Sequence, residues 1–331
     1  MTKTVTEIVD LASAYYGSAV LFAAIDLGVF AEIAAAGADG VVPTERGRRL
    51  LFNACVAEGL LEKRGEAFFN TPAAAAALVP GGAADLTKAI RYNRDVYPAW
   101  GRLADFVRTN APVERPEIHL GADAARTRTF ADSMFGRAMG IGRGVVPMIA
   151  GEIAALAEKP RLLDLAGGPG AYAILLAQAV AGLRVTTVDL AAIAAVAREY
   201  VGKFALTERI ECRAGDYHGD IGEKGAYDAV TIFGALHQES PTDIVAILRR
   251  AHAALRPGGK VFVLDLMTDA THAAPKFSAL FALNMALTTA NGWVFSDAEL
   301  KGWLAEAGFE PGETRPVPPP MPHWLVSGVR H

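Results

Sequence analysis

The segment from Arg161 to Gly170 joins an apolar run to a cluster of glycines. Its sequence, RLLDLAGGPG, predicts a buried strand that ends in a glycine turn and leads into a helix. Gly167, Gly168 and Gly170 have no Cβ, so a ligand can approach the backbone closely, and the first turn of the helix offers unpaired N–H groups. Asp189 ends the next apolar run, where its carboxylate could accept both hydroxyls of a ribose. These features predict a site for a nucleoside-containing cofactor.

The glycine pattern alone leaves two cofactor classes open. Residues 168–173 also fit the GxGxxA pattern of a dinucleotide fold, and Asp189 lies at a suitable distance from it. Two further acids favour S-adenosylmethionine over a nicotinamide cofactor. Asp164, just before the glycines, would repel a pyrophosphate and attract a cationic amino-acid moiety, while Asp216 could accept the amino group of an adenine. Three acids without a basic phosphate clamp suit S-adenosylmethionine, which carries a sulfonium and an ammonium. After methyl transfer this cofactor leaves as S-adenosylhomocysteine.

Composition restricts the class of protein further. The chain has 331 residues, a net charge of −4 and a pI near 6.0, so it offers no electrostatic attraction for nucleic acid or an anionic membrane. A mean hydropathy of +0.24 indicates much buried helix or a surface covered by another subunit. Cys55 and Cys212 lie far apart in apolar or strand-like settings, so we expect reduced thiols and a cytoplasmic protein. No His/Cys cluster has metal-ligand spacing, and we expect no metal.

The N-terminal sequence predicts neither a signal peptide nor a membrane span. Its first residues lack a basic start followed by an uninterrupted apolar run. The most apolar window, residues 19–36, is interrupted by Asp26 and Glu32, which favours a buried or interface helix.

The pattern of apolar residues divides the chain into a helical first part and an alternating second part. The first part is expected to contain a helix over residues 6–35 with possible breaks at Gly17 and Gly28, a helix over 46–63, a two-stranded wing over 65–72, a linker over 72–82 and mainly helix over 83–157. From Arg161 onward, strand-like and helical runs alternate, which predicts a parallel sheet with helices on both faces. The strands are expected near 161–166, 184–189, 209–213, 227–233, 259–266, 309–316 and 323–330.

The helix and wing near the N-terminus suggest a winged-helix module, which is often a DNA reader. Residues 1–80 contain six basic and nine acidic residues, a balance of −3. DNA binding needs a net basic face that displaces counterions from the phosphates. The charge therefore favours dimerisation over a ligand-sensing DNA-binding regulator, which is retained as a distant alternative.

The glycine turn and its acids resemble those of class I S-adenosylmethionine-dependent methyltransferases, and nearly the whole chain resembles the two-domain small-molecule O-methyltransferases of plant phenolic and bacterial natural-product pathways. The resemblance implies an α/β fold, with a Rossmann-like seven-stranded methyltransferase domain preceded by a mainly helical, winged-helix-like dimerisation domain. We assign residues 1–82 to the dimerisation domain, 83–157 to a helical connector that contributes to the acceptor pocket, and 158–331 to the cofactor-binding catalytic domain. The expected partners are a small-molecule acceptor and a second copy of the chain.

The resemblance also assigns a catalytic pair. In this family a histidine at the position of His237 is the general base, and a carboxylate at the position of Asp265 orients it. A phenol ionises near pH 10, and an imidazole can take its proton as the oxygen attacks. Two positions depart from the family, because His237 is followed by Gln238-Glu239 in place of Asp-Trp and Val294 stands where a second carboxylate would flank the base. The apolar flank keeps C- or N-methylation, or a related reaction without methyl transfer, as the alternative.

Other site assignments rest on the resemblance alone. Phe135 and Met139 match a family helix that packs against the methyl-donor end of the cofactor, although an i, i+4 pair of this type is also common in plain core. The expected cofactor-binding residues are Asp164, Gly167, Gly168, Gly170, Asp189, Leu190, Asp216, Tyr217, Phe233 and Met139. The expected acceptor-binding residues are Phe135, Trp100, Asn284, Met285 and Trp293.

Overall fold

The computed structural model describes residues 2–82, 84–114, 121–219 and 221–331. The chain forms two compact units, residues 1–94 and 95–331. The division at residues 82 and 157 remains a prediction of the sequence.

The first unit is helical except for one small hairpin. Its helices are α1 (Val5–Ser13), α2 (Tyr15–Asp26), α3 (Val29–Ala36), α4 (Arg46–Ala57) and α5 (Pro72–Ala77), and α6 (Thr87–Trp100) begins in it. The antiparallel strands β1 (Leu61–Arg64) and β2 (Ala67–Asn70) form the wing. Phe30, Phe52 and Phe68 are almost fully buried and form the centre of this unit's core. Helix and wing thus share one apolar core.

Several predicted boundaries in this unit are wrong. The expected helix over 6–35 is three helices, and Gly28 with φ +67° starts the third in a conformation that favours glycine. Helix α4 ends at Ala57, and the wing starts at Leu61 because residues 61–64 pair with 67–70. Part of the predicted linker is helix α5, since Thr71 caps it by accepting a hydrogen bond from the Ala74 N–H and Pro72 fits its first turn.

The second unit is an α/β domain preceded by helices. Its helices are α7 (Leu103–Thr109), α8 (Ala124–Leu156), α9 (Ala171–Ala179), α10 (Ala191–Lys203), α11 (Pro241–Ala254), α12 (Lys276–Thr288) and α13 (Asp297–Glu306). Its strands are β3 (Arg161–Leu165), β4 (Arg184–Asp189), β5 (Ile210–Ala214), β6 (Tyr227–Phe233), β7 (Leu255–Asp265), β8 (Phe309–Pro316) and β9 (Trp324–Arg330). The seven strands confirm the predicted fold class, and β7 begins a few residues before its predicted start.

The order of the strands determines where a ligand can bind. The sheet runs β5-β4-β3-β6-β7-β9-β8, with β9 antiparallel to both β7 and β8. The chain moves outward from β3 through β4 to β5 and then returns to the other side of β3 with β6. This reversal opens a crevice beyond the carboxyl ends of β3 and β6, the usual ligand site of an open α/β sheet. Every residue of β6 is buried, because helices cover both faces of the sheet at its centre.

Among the residues that the structure describes, two helical stretches are long and apolar enough to span a membrane by length and composition, Val5–Asp26 and Ala124–Leu156. Such stretches are weak grounds for a membrane protein, because core helices of soluble proteins meet the same criterion.

Candidate functional site

The glycine turn follows β3 directly and approaches β4 closely. Gly167 donates its N–H to the Val188 carbonyl at 3.2 Å, and a Cβ at Gly167 would overlap the Thr187 hydroxyl and the Asp164 carboxylate. Gly168 has φ +57°, and a Cβ added there would meet nothing within 4 Å. The turn is therefore packed on the side of the sheet and open at Gly168.

Asp164 is a fully buried carboxylate beneath this turn. It accepts hydrogen bonds from the hydroxyls of Thr231 at 2.7 Å and Thr187 at 3.2 Å. Burial raises the pKa of Asp164 to about 6, because the two hydroxyls replace only part of the hydration that its charge loses. A cation bound at this edge would stabilise the ionised form.

Asp189 lies at the end of β4, next to the same turn. Its carboxylate accepts the N–H of Gly168 at 2.8 Å and that of Leu190 at 2.7 Å. Burial raises the pKa of Asp189 to about 6, and the negative charge of Asp216 adds to the shift. Asp216, in the loop after β5, is exposed and accepts the N–H of His218.

The charge balance around these three acids shows whether the site suits the expected cofactor. In the described part of the chain no lysine or arginine forms an ion pair with Asp164, Asp189 or Asp216. An edge that carries uncompensated negative charge would repel a phosphate and attract a sulfonium or an ammonium. The open space at Gly168 leaves room for a ligand against the backbone. The residues fit S-adenosylmethionine.

His237 and Asp265 come together at the carboxyl ends of β6 and β7. His237 lies on a short 3₁₀ turn after β6, and its Nδ1 is 2.6 Å from Oδ1 of Asp265, the last residue of β7. The N–H groups of Leu266 and His237 also bind the carboxylate, at 2.8 and 3.3 Å. Both side chains are buried, and the edge of the His237 ring meets Phe281 with their centroids 5.4 Å apart. Asp265 therefore holds the imidazole in one orientation.

Trp293 has a structural contact that the sequence did not indicate. Its backbone N–H donates to the His237 carbonyl and its indole N–H to the Glu239 carbonyl, both at 2.9 Å. Its predicted contact with the acceptor stays a prediction, while these two bonds fix the turn that carries His237. The adjacent Val294 is buried.

Two other predicted acceptor residues contact each other. The Trp100 indole at the end of α6 donates to Oδ1 of Asn284 on α12 at 3.0 Å. Asn284 and Met285 are both buried. Trp100 and Asn284 therefore form one polar contact between two helices.

The remaining predicted residues are distributed between the core and the crevice. Phe135 stacks on Tyr200 of α10, with ring centroids 3.6 Å apart, so its ring packs in the core between α8 and α10. Met139 is half-buried one turn further along α8. Phe233, at the carboxyl end of β6, makes an edge contact with Tyr172 of α9 at 4.9 Å. Binding roles for these side chains remain predictions.

Sequence reasoning missed two buried polar side chains near His237 and Asp265. Glu239 is buried and accepts the Tyr217 hydroxyl at 2.6 Å. His323 precedes β9 and is buried, and burial lowers its pKa to about 4. Glu239 could have been found from its place two residues after His237, whereas nothing in the local sequence signals that His323 is buried.

The comparisons with known proteins agree with this geometry. Residues 119–310 match the model of the O-methyltransferase domain. A 3-hydroxy-5-methyl-1-naphthoate 3-O-methyltransferase of Streptomyces sahachiroi is 31% identical over 338 residues, covering 98% of this chain and 95% of the relative. The tetracenomycin polyketide synthesis 8-O-methyl transferase of Streptomyces glaucescens is 31% identical, covering 95% of this chain and 94% of the relative.

A solved structure shows the same fold over the whole chain. Human N-acetylserotonin methyltransferase in complex with S-adenosylmethionine superposes with a TM-score of 0.80 at 24% identity, covering 100% of this chain and 98% of that one. Together with the matched domain and the two relatives, the fold and the acidic crevice place this chain in the family of S-adenosylmethionine-dependent O-methyltransferases.

Proposed function

We propose that this enzyme methylates a hydroxyl group of a small aromatic metabolite, with His237 as the general base. The contact between His237 Nδ1 and Asp265 Oδ1 at 2.6 Å carries the proposal. It places a buried, oriented imidazole at the carboxyl edge of β6, in the same crevice as the glycine turn after β3.

The mechanism follows from the two ring nitrogens. When Nδ1 donates its proton to Asp265, Nε2 carries the lone pair that can take the proton of the acceptor hydroxyl. Asp265 then stabilises the imidazolium, and its bonds to the Leu266 and His237 N–H groups keep it in place. S-adenosylmethionine supplies a methyl group on a sulfonium. The protein's own contribution is to align the acceptor, exclude water and remove one proton.

An aromatic acceptor is supported by the surroundings of His237 and by the names of the relatives. Phe281 meets the imidazole, and Val294 is buried on the adjacent loop. The two relatives are named for a hydroxynaphthoate and for tetracenomycin polyketide synthesis. Apolar side chains near a candidate base suit a flat ring that carries a hydroxyl.

Replacement of His237 tests the base. We expect His237→Ala to lower turnover by about 10²–10⁴-fold, because the proton then has no positioned acceptor. Methyl transfer from labelled S-adenosylmethionine to a panel of naphthols and hydroxynaphthoates measures turnover, and titration with S-adenosylhomocysteine checks that cofactor affinity stays near that of the wild type. Asp265→Asn should cost less, and the double variant should be little worse than His237→Ala, since the two residues act as one unit.

The exposed His331 supplies a matched control, because His331→Ala removes an imidazole far along the chain from the site. A loss of only about tenfold in His237→Ala would instead support C- or N-methylation, in which no proton need be removed in the transition state. Val294, which stands where the family has a second carboxylate, is the feature that favours this alternative.

We further propose that the protein is a cytoplasmic homodimer that assembles through its N-terminal domain, residues 1–82. Helix α1 has no buried residue although it carries Val5, Ile8, Val9 and Leu11. Residues 1–80 carry a net charge of −3, which supports assembly over nucleic-acid binding.

A further inference from the structure

The side chain of Glu239 joins two loops that approach the crevice from different strands. The Tyr217 hydroxyl, in the loop after β5, donates to Oε1 of Glu239 at 2.6 Å, and Nε2 of His218 lies 3.2 Å from Oε2. Glu239 itself follows the 3₁₀ turn of residues 236–238 and is 8% exposed. A buried carboxylate with two polar partners is a strong link between these loops.

The same turn is held from its other side by Trp293. The backbone N–H of Trp293 donates to the His237 carbonyl and its indole N–H to the Glu239 carbonyl, so the turn has fixed bonds at both ends. The Glu239 side chain is then the connection that leads from this turn to the loop after β5. Tyr217 directly follows Asp216, the acid expected to accept the amino group of adenine.

We propose that Glu239 is a positioning residue that couples cofactor binding to the order of the catalytic turn. Adenine bound at Asp216 holds the loop after β5 in the conformation in which Tyr217 reaches Glu239. That hydrogen bond in turn holds the backbone on which His237 lies. By linkage, the free energy by which the ordered loop favours the ordered turn equals the free energy by which the ordered turn favours the loop. The inference rests on the proposed base for its catalytic meaning, while the coupling itself is a property of binding.

Hydrogen exchange with S-adenosylhomocysteine as the probe measures this coupling. In the wild type we expect the ligand to slow exchange of the amides of residues 236–240 by about fivefold or more, the lower end of usual coupling between sites. Tyr217→Phe removes only the hydroxyl, and Glu239→Leu removes the carboxylate at similar volume. Both should reduce the ligand-dependent protection to less than about twofold, each measured at saturating ligand.

Conservative and control variants separate coupling from a general loss of stability. Glu239→Gln keeps an oxygen that can accept from Tyr217, so it should retain much of the protection. Tyr200→Phe is the control, because it removes another hydrogen bond from a tyrosine to a carboxylate, the 2.7 Å bond of Tyr200 on α10 to Asp132 on α8. This variant should leave the protection of residues 236–240 as in the wild type. If Glu239→Leu does not fold, Tyr217→Phe and Glu239→Gln still decide the question.

Two results would overturn the proposal. One is a wild type in which the ligand binds without slowing exchange at residues 236–240. The other is equal protection in Tyr217→Phe and the wild type. Neither depends on the acceptor or on turnover, so a failure here is distinct from a failure of His237 as the base.

Discussion

At the scale of single residues, the crevice contains two aspartates whose ionised forms the folded protein stabilises poorly without a ligand. Asp164 and Asp189 each have a pKa raised to about 6, chiefly by burial. The ordinary value of an aspartate is 3.8, so each is harder to ionise in the folded chain than in the unfolded one. A ligand that brings positive charge would remove part of this cost, and without it the two acids lower the stability of the fold.

The first residue-scale prediction concerns Asp164 and pH. Because its pKa is higher in the native state, the native chain binds more protons between about pH 4 and 6, and its contribution to stability falls as pH rises through that window. A shift of about two units corresponds to about 3 kcal/mol. Asp164→Asn should therefore gain stability relative to the wild type at pH 7 and show little gain at pH 4.

Urea unfolding of the ligand-free wild type and variant at both pH values measures this difference. The same substitution should weaken binding of S-adenosylhomocysteine, whose ammonium loses an anionic neighbour. An Asp164→Asn variant whose gain in stability is the same at pH 4 and pH 7 would contradict the raised pKa.

The second residue-scale prediction compares adjacent glycines. A Cβ at Gly167 overlaps Thr187 and Asp164, so Gly167→Ala should lower the free energy of unfolding by about 1–3 kcal/mol or more. The added methyl of Gly168→Ala meets open space, so this variant loses only about 1–2 kcal/mol of stability, the strain of φ +57°. Because the methyl enters the space beside the turn, it should weaken the binding of S-adenosylhomocysteine at least about tenfold.

Gly151→Ala is the control for these glycine variants. Gly151 lies within α8 with nothing within 4 Å of an added Cβ, so alanine there should stabilise the helix slightly and leave ligand affinity unchanged. Calorimetric titration and thermal melting compare all three. Wild-type ligand affinity in Gly168→Ala would show that the cofactor does not lie against this residue.

At the scale of elements, the sequence predicts the sheet much better than the N-terminal helices. The strands are apolar runs bounded by turn residues, and a buried parallel strand needs little else, so β4 and β6 match their predicted ranges. The N-terminal helices share one apolar stripe, and the break after Ser13 has no glycine or proline to mark it. Local pattern therefore predicts helix there, but not where one helix ends.

The candidate site likewise combines residues that the sequence predicts with contacts that it does not. The resemblance to the family predicts His237 and Asp265 as a pair, and the two side chains meet because β6 and β7 are neighbouring parallel strands whose carboxyl ends lie together. The contact of Glu239 with Tyr217 joins segments 22 residues apart in sequence, and that of Trp293 with the Glu239 carbonyl joins segments 54 residues apart. His323 is buried because β9 returns beside β7, which places Trp324 opposite Asp265. Such contacts follow from tertiary packing and have no local sequence signal.

At the scale of the whole molecule, the unexplained feature is the apolar surface of the first helix. Val5 is 79% exposed, Val9 65% and Ile8 57%. Their spacing places them on one face of α1, since residues three and four apart are neighbours on a helix. Apolar faces of this kind on soluble proteins are commonly covered by another chain. The composition of the chain, 52% hydrophobic, agrees with a covered surface.

The last prediction tests that assembly. The wild type should be a dimer by light scattering at micromolar concentration, and the double variant Ile8→Glu/Val9→Glu should shift it toward monomer, because four carboxylates would then face one another across a two-fold interface. Ala14→Glu, at the C-cap of the same helix and about 180° around it from Val5, should leave the dimer intact. The core of residues 1–94 does not include Ile8 or Val9, so the variant should keep the helical content of the wild type. A monodisperse wild-type monomer, or a double variant as dimeric as the wild type, would exclude α1 as the dimer interface.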